Sequence, residues 1–411
     1  MKPYDETCRD VTEAAVKRSL GTIFGSSEYD ERQLSCLTNP KACAPVVRLG
    51  PCRCGDDPKC ASVCFFDALS RDADGHAVVS AQNCAGCGEC IVACENHNLG
   101  EIREVVPLFA RVDAGDPVYA MIAPAYVNQF GSDVTPGKLR SAFKQLGFAG
   151  MIEVALFADI LTLKEALEFD AAVQTKEDFV LTSCCCPMWV AMIQKVYNRL
   201  LPHMPPSVSP MAACGRAVKR LTPGAKTVFI GPCLAKKAEA RQPDISEAVD
   251  FVLTFTEMEE IFRAAGIDPA ALDEDQRDHS SAGGRMYART GGVSASVDET
   301  VKRLKPDRAI PVRARQADGV PACKAMLADI QAGSFDANFL EGMGCVRGCV
   351  GGPRALIDRD LGAQHVDEYA GQAAYRTPAD NPYVLELLHS LGFDTIESLI
   401  KGENMFTRRF E

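Results

Sequence analysis

The sequence lacks any uninterrupted apolar run of about 18 residues, which is the length that a membrane-spanning helix needs. The N-terminal segment MKPYDETCRDVTEAAVKRSL also contains no apolar stretch of the kind that directs export. We therefore expect a cytoplasmic protein with no membrane partner. Thiols stay reduced in that compartment, so we do not expect a disulfide framework.

The sequence also has no excess of basic residues. The chain has 44 Lys and Arg residues against 55 Asp and Glu residues, for a net charge of −11. This balance argues against nucleic acid as a partner, because the phosphate backbone attracts basic surfaces. It is compatible with docking on a basic patch of another protein.

Cysteine is abundant, with 19 residues in a chain of 411, and many of them stand in short clusters. The chain is 47% hydrophobic, which is enough to bury the cores of two or three domains. Clustered thiols in a reducing compartment are typical of metal ligation rather than of disulfides.

One run of four cysteines has the spacing CxxCxxCxxxC: Cys84, Cys87, Cys90 and Cys94. This is the ferredoxin pattern, in which three thiolates hold one [4Fe-4S] cluster and the fourth reaches the neighbouring cluster. A partner run precedes it but is irregular: Cys52, Cys54, Cys60 and Cys64, with Asp57 at the middle position. Together these residues predict an α+β domain like a bacterial ferredoxin over residues 46–106.

Two accessory [4Fe-4S] clusters account for these eight thiols. The first would take Cys52, Cys54, Cys60 and Cys94, and the second would take Cys84, Cys87, Cys90 and Cys64. The alternative is a first cluster that is ligated by Asp57 or has only three irons. Carboxylate is a poorer match than thiolate to such a soft site.

Beyond Pro107 the sequence alternates short apolar strands with amphipathic helices, which predicts parallel sheets flanked by helices over residues 107–411. One helix is expected to have Thr135 as its cap and Pro136 as its first residue. Ligands gather at the carboxyl ends of parallel strands. Three cysteine-bearing loops in this region could therefore meet around one iron-sulfur centre: LTSCCCPMW, GPCLAKKAE and EGMGCVRGCVGGP.

Several other features have plainer interpretations. Residues 1–45 are expected to form a helical extension with an amphipathic helix from Val11 to Leu20. Five cysteines lack ligand spacing and are expected to be structural, surface or buried thiols: Cys8, Cys36, Cys43, Cys214 and Cys323. Lys237 fits an ordinary surface lysine.

In order and spacing, the three cysteine loops resemble the signature motifs of [FeFe]-hydrogenases, and the resemblance extends from about residue 50 to the C-terminus. It implies a two-lobed catalytic domain that holds an H-cluster. This cofactor is a [4Fe-4S] cubane joined through one cysteine sulfur to a di-iron unit that carries CO, cyanide and a dithiolate bridge. The implied cubane ligands are Cys186, Cys233, Cys345 and Cys349, with Cys349 as the bridge.

The resemblance also implies roles for residues around the di-iron unit. Cys185 matches the thiol that exchanges protons with it, Lys236 the lysine that hydrogen-bonds a cyanide, and Met343 a methionine that lines the site. Ala123 and Pro124 match an alanine-proline pair close to the unit. On the predicted helix LTLKEALEF, two carboxylates three residues apart share one face and resemble the family's proton path: Glu165 and Glu168.

The chain departs from the family pattern at five positions. The first motif has a third cysteine, Cys184, and glycine stands at Gly231 where methionine is usual. Ala125 replaces a serine or threonine, and Pro353 replaces a glycine. Pro205 stands where the path's relay serine is expected and has no hydroxyl, so Ser207 or ordered water would have to serve there. These departures indicate an atypical branch marked by TSCCCP.

The resemblance implies reversible reduction of protons to dihydrogen, with electrons from ferredoxin or flavodoxin and with maturases that insert the di-iron unit. Two alternatives stay open. One is a sensory hydrogenase, which the absence of an appended sensor region argues against. The other is a non-catalytic iron-sulfur protein without the di-iron unit, in which Cys185, Lys236 and Met343 would have no purpose.

Overall fold

The computed structural model describes residues 1–55 and 58–410. The described helices are α1 (Tyr4–Val16), α2 (Glu31–Thr38), α3 (Lys59–Ser62), α4 (Glu89–Ala93), α5 (Val105–Asp113), α6 (Pro136–Gln145), α7 (Ala155–Ala172), α8 (Pro187–Lys195), α9 (Pro210–Leu221), α10 (Ala235–Glu239), α11 (Phe255–Ala265), α12 (Ala282–Met286), α13 (Gly292–Leu304), α14 (Val320–Gln331), α15 (Arg359–Gly371) and α16 (Pro382–Ser390). Within these ranges, no helix has the length and apolar character needed to cross a membrane.

The described strands are β1 (Val46–Arg48), β2 (Leu69–Arg71), β3 (Ala77–Val79), β4 (Leu99–Glu101), β5 (Val118–Ile122), β6 (Gly150–Glu153), β7 (Val180–Leu181), β8 (Lys226–Gly231), β9 (Phe251–Thr254), β10 (Ala314–Asp318) and β11 (Phe339–Met343). They form two antiparallel ribbons near the N-terminus and two parallel sheets beyond residue 117.

The N-terminal helix differs from its predicted span. It begins at Tyr4, directly after Pro3, and ends at Val16, so the expected range Val11 to Leu20 is wrong at both ends. Arg18 has a φ of 57°, a left-handed conformation that cannot continue an α-helix. The buried face of α1 includes Cys8, which is therefore a core thiol.

The thiol-rich N-terminal region is α+β. Strands β1 and β4 pair antiparallel, as do β2 and β3, and the short helices α3 and α4 pack against each other. This is the two-ribbon, two-helix arrangement expected of a ferredoxin-like unit. The boundaries at residues 45 and 106 stay predictions.

Two parallel sheets make up the rest of the fold and confirm the predicted α/β class. The larger sheet has the strand order β6-β5-β8-β9, and the smaller has the order β10-β11-β7. The central strand β5 is fully buried from Ala120 to Ile122, as expected for a strand covered by helices on both faces. At the start of α6, the Thr135 hydroxyl accepts a hydrogen bond from the Lys138 amide, which confirms the predicted cap.

The carboxyl ends of strands from both sheets carry the cysteine loops. In the larger sheet β8 runs into Cys233, and β5 runs into Ala123 and Pro124. In the smaller sheet β7 precedes the three-cysteine loop and β11 precedes Cys345. Parallel strands direct these loops to one edge of each sheet, so the fold places the cysteine motifs where ligands bind.

Candidate functional site

The three loops bring together the four thiols that the sequence identifies as cubane ligands. Cys186 occupies the cap position of α8, and Cys233 lies just before α10. Burial, together with the neighbouring Cys233 and Cys186 thiols, raises the pKa of Cys349 to about 12. Burial also raises the pKa of Cys345, and the same two thiols and Cys349 add to the rise. Ionising each of these thiols costs free energy when no cation is nearby. A bound iron cluster would supply that positive charge.

Glycines shape the backbone around these thiols. The Gly344 amide donates a hydrogen bond of 3.2 Å to the Cys186 sulfur. A Cβ at Gly344 would lie 2.5 Å from the Met188 Cβ, and one at Gly351 would lie 1.9 Å from the Val346 carbonyl oxygen. Amide-to-sulfur bonds and a closely approaching backbone are features of iron-sulfur ligation, so the donor set fits the group.

A single metal ion would need a tighter arrangement. Across residues 1–55 and 58–410, no group of three or more His, Cys, Asp and Glu side chains is close enough to hold one ion. Thiolates around one zinc sit about 2.3 Å from it, whereas the thiolates of a cubane bind separate iron corners.

Lys236 is buried beside the thiols. Its ammonium forms an ion pair of 2.6 Å with Glu239, which in turn accepts a hydrogen bond from the Ser209 hydroxyl. Burial opposes the charge of Lys236, but Glu239 and the Cys233 and Cys185 thiols outweigh it and raise the lysine pKa. Lys236 therefore carries a positive charge in a dry pocket, where a charge-assisted hydrogen bond is strong.

Lys237 is not the surface lysine that we expected. It is only 1% exposed, and its ammonium lies 2.9 Å from both carboxylate oxygens of the buried Glu257. It also donates a 2.6 Å hydrogen bond to the Ile102 carbonyl oxygen, at the end of the thiol-rich region. The prediction was wrong because two adjacent lysines on a short helix point in different directions, and both directions are buried here.

Cys185 and Met343 pack in the same buried apolar cluster. Beside them, β5 and β8 bring Ala123 against Gly231: a Cβ at Gly231 would lie 3.0 Å from the Ala123 Cβ. That Cβ would also lie 2.8 Å from the Phe229 ring. The glycine that replaces the usual methionine therefore makes room for the ring of Phe229, whose centroid lies 5.8 Å from the Lys236 ammonium.

Glu165 is buried on α7 and faces the three-cysteine loop. It accepts hydrogen bonds from the Thr182 hydroxyl at 2.6 Å and from the Cys184 thiol at 3.2 Å. Burial raises the pKa of Glu165 to about 7, and these two donors limit the rise. The thiol in direct contact with Glu165 is thus the extra cysteine Cys184, while the Glu165 charge also raises the pKa of Cys185.

Glu168 lies one turn further along α7, in a polar network that includes Ser207 and Lys164. Ser207 donates a 3.0 Å hydrogen bond to its carboxylate, and Lys164, only 2% exposed, forms an ion pair with it. The Lys164 ammonium also donates a 2.7 Å bond to the Ser207 hydroxyl. Burial raises the pKa of Glu168, and Lys164 and Ser207 oppose the rise.

The accessory thiols fall into two sets. Burial raises the pKa of Cys60, and it is raised further by three neighbouring thiols: Cys94, Cys54 and Cys52. Burial, with smaller contributions from the thiols of Cys87, Cys84, Cys64 and Cys60, raises the pKa of Cys90 to about 12. Cys60 thus has three thiols of its own proposed set as neighbours, and Cys90 has three thiols of its set together with Cys60. The two ligand sets stay a prediction. Asp57, on which the alternative first cluster depends, lies outside the described residues.

Backbone amides point at several of these sulfurs. The Ala77 and Asn98 amides each donate a 3.2 Å bond, to Cys52 and Cys94 respectively. The Ala68 amide donates a 3.3 Å bond to Cys64.

The second thiol set lies against the loops that carry Cys233 and Cys345. A Cβ at Gly86 would lie 3.2 Å from the Ala235 Cα, and one at Gly88 would lie 2.8 Å from the Leu234 side chain. A cavity of about 470 Å³ separates the regions, and thiols from both line it: Cys87, Cys233 and Cys345. The absence of side chains at Gly86 and Gly88 therefore permits direct packing between the two parts.

Sequence reasoning missed several residues of this site. Glu239 and Lys164 each stand on the same helix face as a predicted residue, so their spacing could have indicated an ion pair. Thr182 and Phe229 carried no such signal. Their contacts depend on which strand faces which helix.

Two parallel sheets, with four partly buried thiols on loops at their strand ends and a thiol-rich α+β region packed against them, define an α/β iron-sulfur fold. Residues 116–353 match the family described as iron only hydrogenase large subunit, C-terminal domain. The chain belongs to this family.

Among curated relatives, the periplasmic [Fe] hydrogenase large subunit of Nitratidesulfovibrio vulgaris is 31% identical over 57% of this chain and 67% of its own length. A cytosolic Fe-S cluster assembly factor NAR1 homolog from Schizosaccharomyces japonicus is 27% identical over 49% of this chain and 46% of its own. The curated relatives of this chain therefore include a hydrogenase subunit and an Fe-S cluster assembly factor.

Among solved structures, apo [FeFe]-hydrogenase HydA1 from Chlamydomonas reinhardtii has a similar fold. Its TM-score is 0.54 at 22% identity, over 68% of this chain and 91% of that one.

Proposed function

We propose that this protein is a cytoplasmic [FeFe]-hydrogenase that catalyses the reversible reduction of protons to dihydrogen. The observation that carries the proposal is the arrangement around the four thiols: a buried charged lysine, a free thiol and a carboxylate with a pKa near 7 converge on them. A protein that only stores or transfers an iron-sulfur cluster needs the four ligands but not this proton-handling set.

The proposed cubane ligands are Cys186, Cys233, Cys345 and Cys349, with Cys349 shared with the di-iron unit. That unit supplies the metal chemistry on dihydrogen when it is bound. The chain supplies orientation, hydrogen bonds and exclusion of water. Lys236, held by Glu239, would offer a donor to an anionic ligand of the unit, and Met343, Ala123 and Pro124 would line its site.

Protons would pass through side chains of this chain. Cys185 would exchange a proton with the site, and Glu165 would accept or release it. A carboxyl group with a pKa of about 7 does either near neutral pH without a large energetic step. Thr182 and Cys184 orient Glu165 by their hydrogen bonds. Glu168, supported by Ser207 and Lys164, would continue the route toward solvent.

Electrons from ferredoxin or flavodoxin would enter at the N-terminal thiol region. The packing of Gly86 against Ala235, and the cavity shared by Cys87, Cys233 and Cys345, support transfer between the regions. We propose two [4Fe-4S] clusters there, with the ligand sets given above. Maturases would insert the di-iron unit.

One experiment tests the proposal. Protein matured with the di-iron unit should show infrared bands of CO and cyanide, and it should evolve hydrogen with a reduced mediator or take hydrogen up with an oxidised one. If the bands are present and neither reaction occurs, the proposed activity is wrong.

The similarity to the NAR1 homolog supports one alternative, a non-catalytic assembly role. That role predicts that the cubane is retained but that CO and cyanide bands never appear after maturation. Lys236→Met separates the two functions further. In a hydrogenase it should weaken retention of the di-iron unit, seen as loss of the bands at unchanged cubane content, whereas an assembly factor would have no bands to lose.

A further inference from the structure

Two cysteines outside the proposed ligand sets are in contact. The sulfurs of Cys36 and Cys43 lie 3.2 Å apart, although the residues are seven positions apart in the chain. Cys36 stands near the end of α2, and the 3-10 turn Pro40–Ala42 reverses the chain. Cys43 follows that turn with an extended backbone, which directs its thiol back onto the helix.

The two thiols differ in exposure. Cys36 is only 9% exposed, and burial raises its pKa to about 12, with a smaller contribution from Cys43. Cys43 is half-buried and lines a groove of about 420 Å³. Lys41 and Arg241 line the same groove. Cys43 is thus the thiol that an external reagent reaches first. The cationic side chains in its groove are of the kind that surround reactive cysteines.

The turn between the two cysteines is held on the catalytic part of the chain. Arg241, which follows α10, donates a 2.7 Å hydrogen bond to the Cys43 carbonyl oxygen and a 3.1 Å bond to the Pro40 carbonyl oxygen. It also forms an ion pair with Glu104. These bonds keep the turn closed, so that the sulfurs remain in contact without a covalent link.

The structure assigns a redox-active dithiol to Cys36 and Cys43, which react with a low-molecular-weight disulfide to form an intramolecular disulfide. The Cys43 thiolate attacks one sulfur of the reagent and expels one thiol, leaving a mixed disulfide. Cys36 then loses its proton and attacks the Cys43 sulfur, which expels the second thiol. The protein loses two electrons and two protons, and one reagent disulfide is reduced to two thiols.

The test uses cluster-loaded protein in anaerobic buffers with varied ratios of reduced to oxidised glutathione, followed by alkylation and digestion with trypsin. Cleavage after Lys41 separates the cysteines into peptides 33–41 and 42–48. We expect these peptides to be recovered as a disulfide-linked pair, in an amount that follows the glutathione ratio. The buried Cys214 and Cys323 serve as controls and should stay alkylated at every ratio.

Two variants test the order of attack. Cys36→Ser should accumulate glutathione on Cys43, because the resolving thiol is gone. Cys43→Ser should leave Cys36 unmodified, because that thiol is buried.

Three results would overturn the proposal. The first is separate recovery of the two peptides at every ratio. The second is modification of Cys36 in the Cys43→Ser variant as rapid as that of Cys43 in Cys36→Ser. The third is a linked pair that appears only in step with loss of iron, since the link would then report damage to the clusters. The inference does not depend on the proposed hydrogenase activity.

Discussion

Thr182→Val should move the pH dependence of the reaction by changing one hydrogen bond. The Thr182 hydroxyl lies 2.6 Å from a carboxylate oxygen of Glu165 and stabilises its ionised form. Valine has nearly the same shape but no donor. Because Glu165 is buried, water is poorly placed to replace the lost bond.

The size of the change can be calculated from the contact. A hydrogen bond to a charged group contributes roughly 1.5–3 kcal/mol and one pKa unit corresponds to about 1.36 kcal/mol, so the pKa of Glu165 should rise by roughly one to two. From a starting value of about 7, the ionised fraction at pH 7 falls roughly 5- to 50-fold.

The two reactions depend on the Glu165 protonation state in opposite ways, although both profiles should move to higher pH. Hydrogen uptake needs ionised Glu165 to accept a proton, so its activity rises with pH through the pKa, and the rising limb should move to higher pH. Hydrogen evolution needs protonated Glu165, so its falling limb should move to higher pH as well. The assay is the pH profile of both reactions in matured protein with matched infrared bands.

Thr162→Val is the matched control. Thr162 is a fully buried threonine on α7, the helix that carries Glu165. Its hydroxyl forms hydrogen bonds with the Ala158 carbonyl oxygen and the Tyr287 hydroxyl rather than with Glu165. Its profiles should keep their limbs in place, even if the protein becomes less stable. Unmoved limbs in Thr182→Val, or equal movement in both variants, would refute the assignment of Glu165 to the proton route.

Three further predictions follow from other contacts. Lys237→Met should lower the free energy of unfolding by roughly 3–5 kcal/mol in chemical denaturation, since Glu257 becomes an unpaired buried charge; an unchanged midpoint would contradict the ion pair. In electron paramagnetic resonance, Cys94→Ser should remove the signal of the first accessory cluster, and Cys64→Ser that of the second; loss of the same signal in both would reject the two ligand sets. Cys185→Ala should nearly abolish turnover with unchanged cluster spectra, and near-normal turnover would exclude it from proton transfer.

Local sequence spacing was enough to predict much of the fold and to propose the thiol sets. The ferredoxin spacing from Cys84 to Cys94 can be recognised in a short stretch of sequence, because three ligands of one such cluster lie within a few residues of one another. The parallel sheets were also predictable, since apolar strands alternated with amphipathic helices. The four thiols proposed as cubane ligands lie far apart in the chain, and they could be grouped only because each followed a strand or belonged to a recognised motif.

The ion-pair and hydrogen-bond partners of the buried charged residues could not be predicted from the sequence. Lys236 and Lys237 are neighbours in the chain, and only the packing of α10 shows that Lys236 faces the thiols while Lys237 reaches Ile102 and Glu257. Similarly, the sequence offered Ser207 as a substitute for the absent relay serine but gave no sign that Lys164 completes its network.

The sequence by itself determined which residues are able to bind iron and which chain segments become strands and helices, because those properties depend on side-chain chemistry and on neighbours within about one turn. Only the tertiary structure decided which thiol contacts Glu165, where the Lys237 ammonium lies and which cysteines remain as a separate touching pair. These outcomes depend on distances between distant segments, and those distances are set when the two sheets and the N-terminal region pack together.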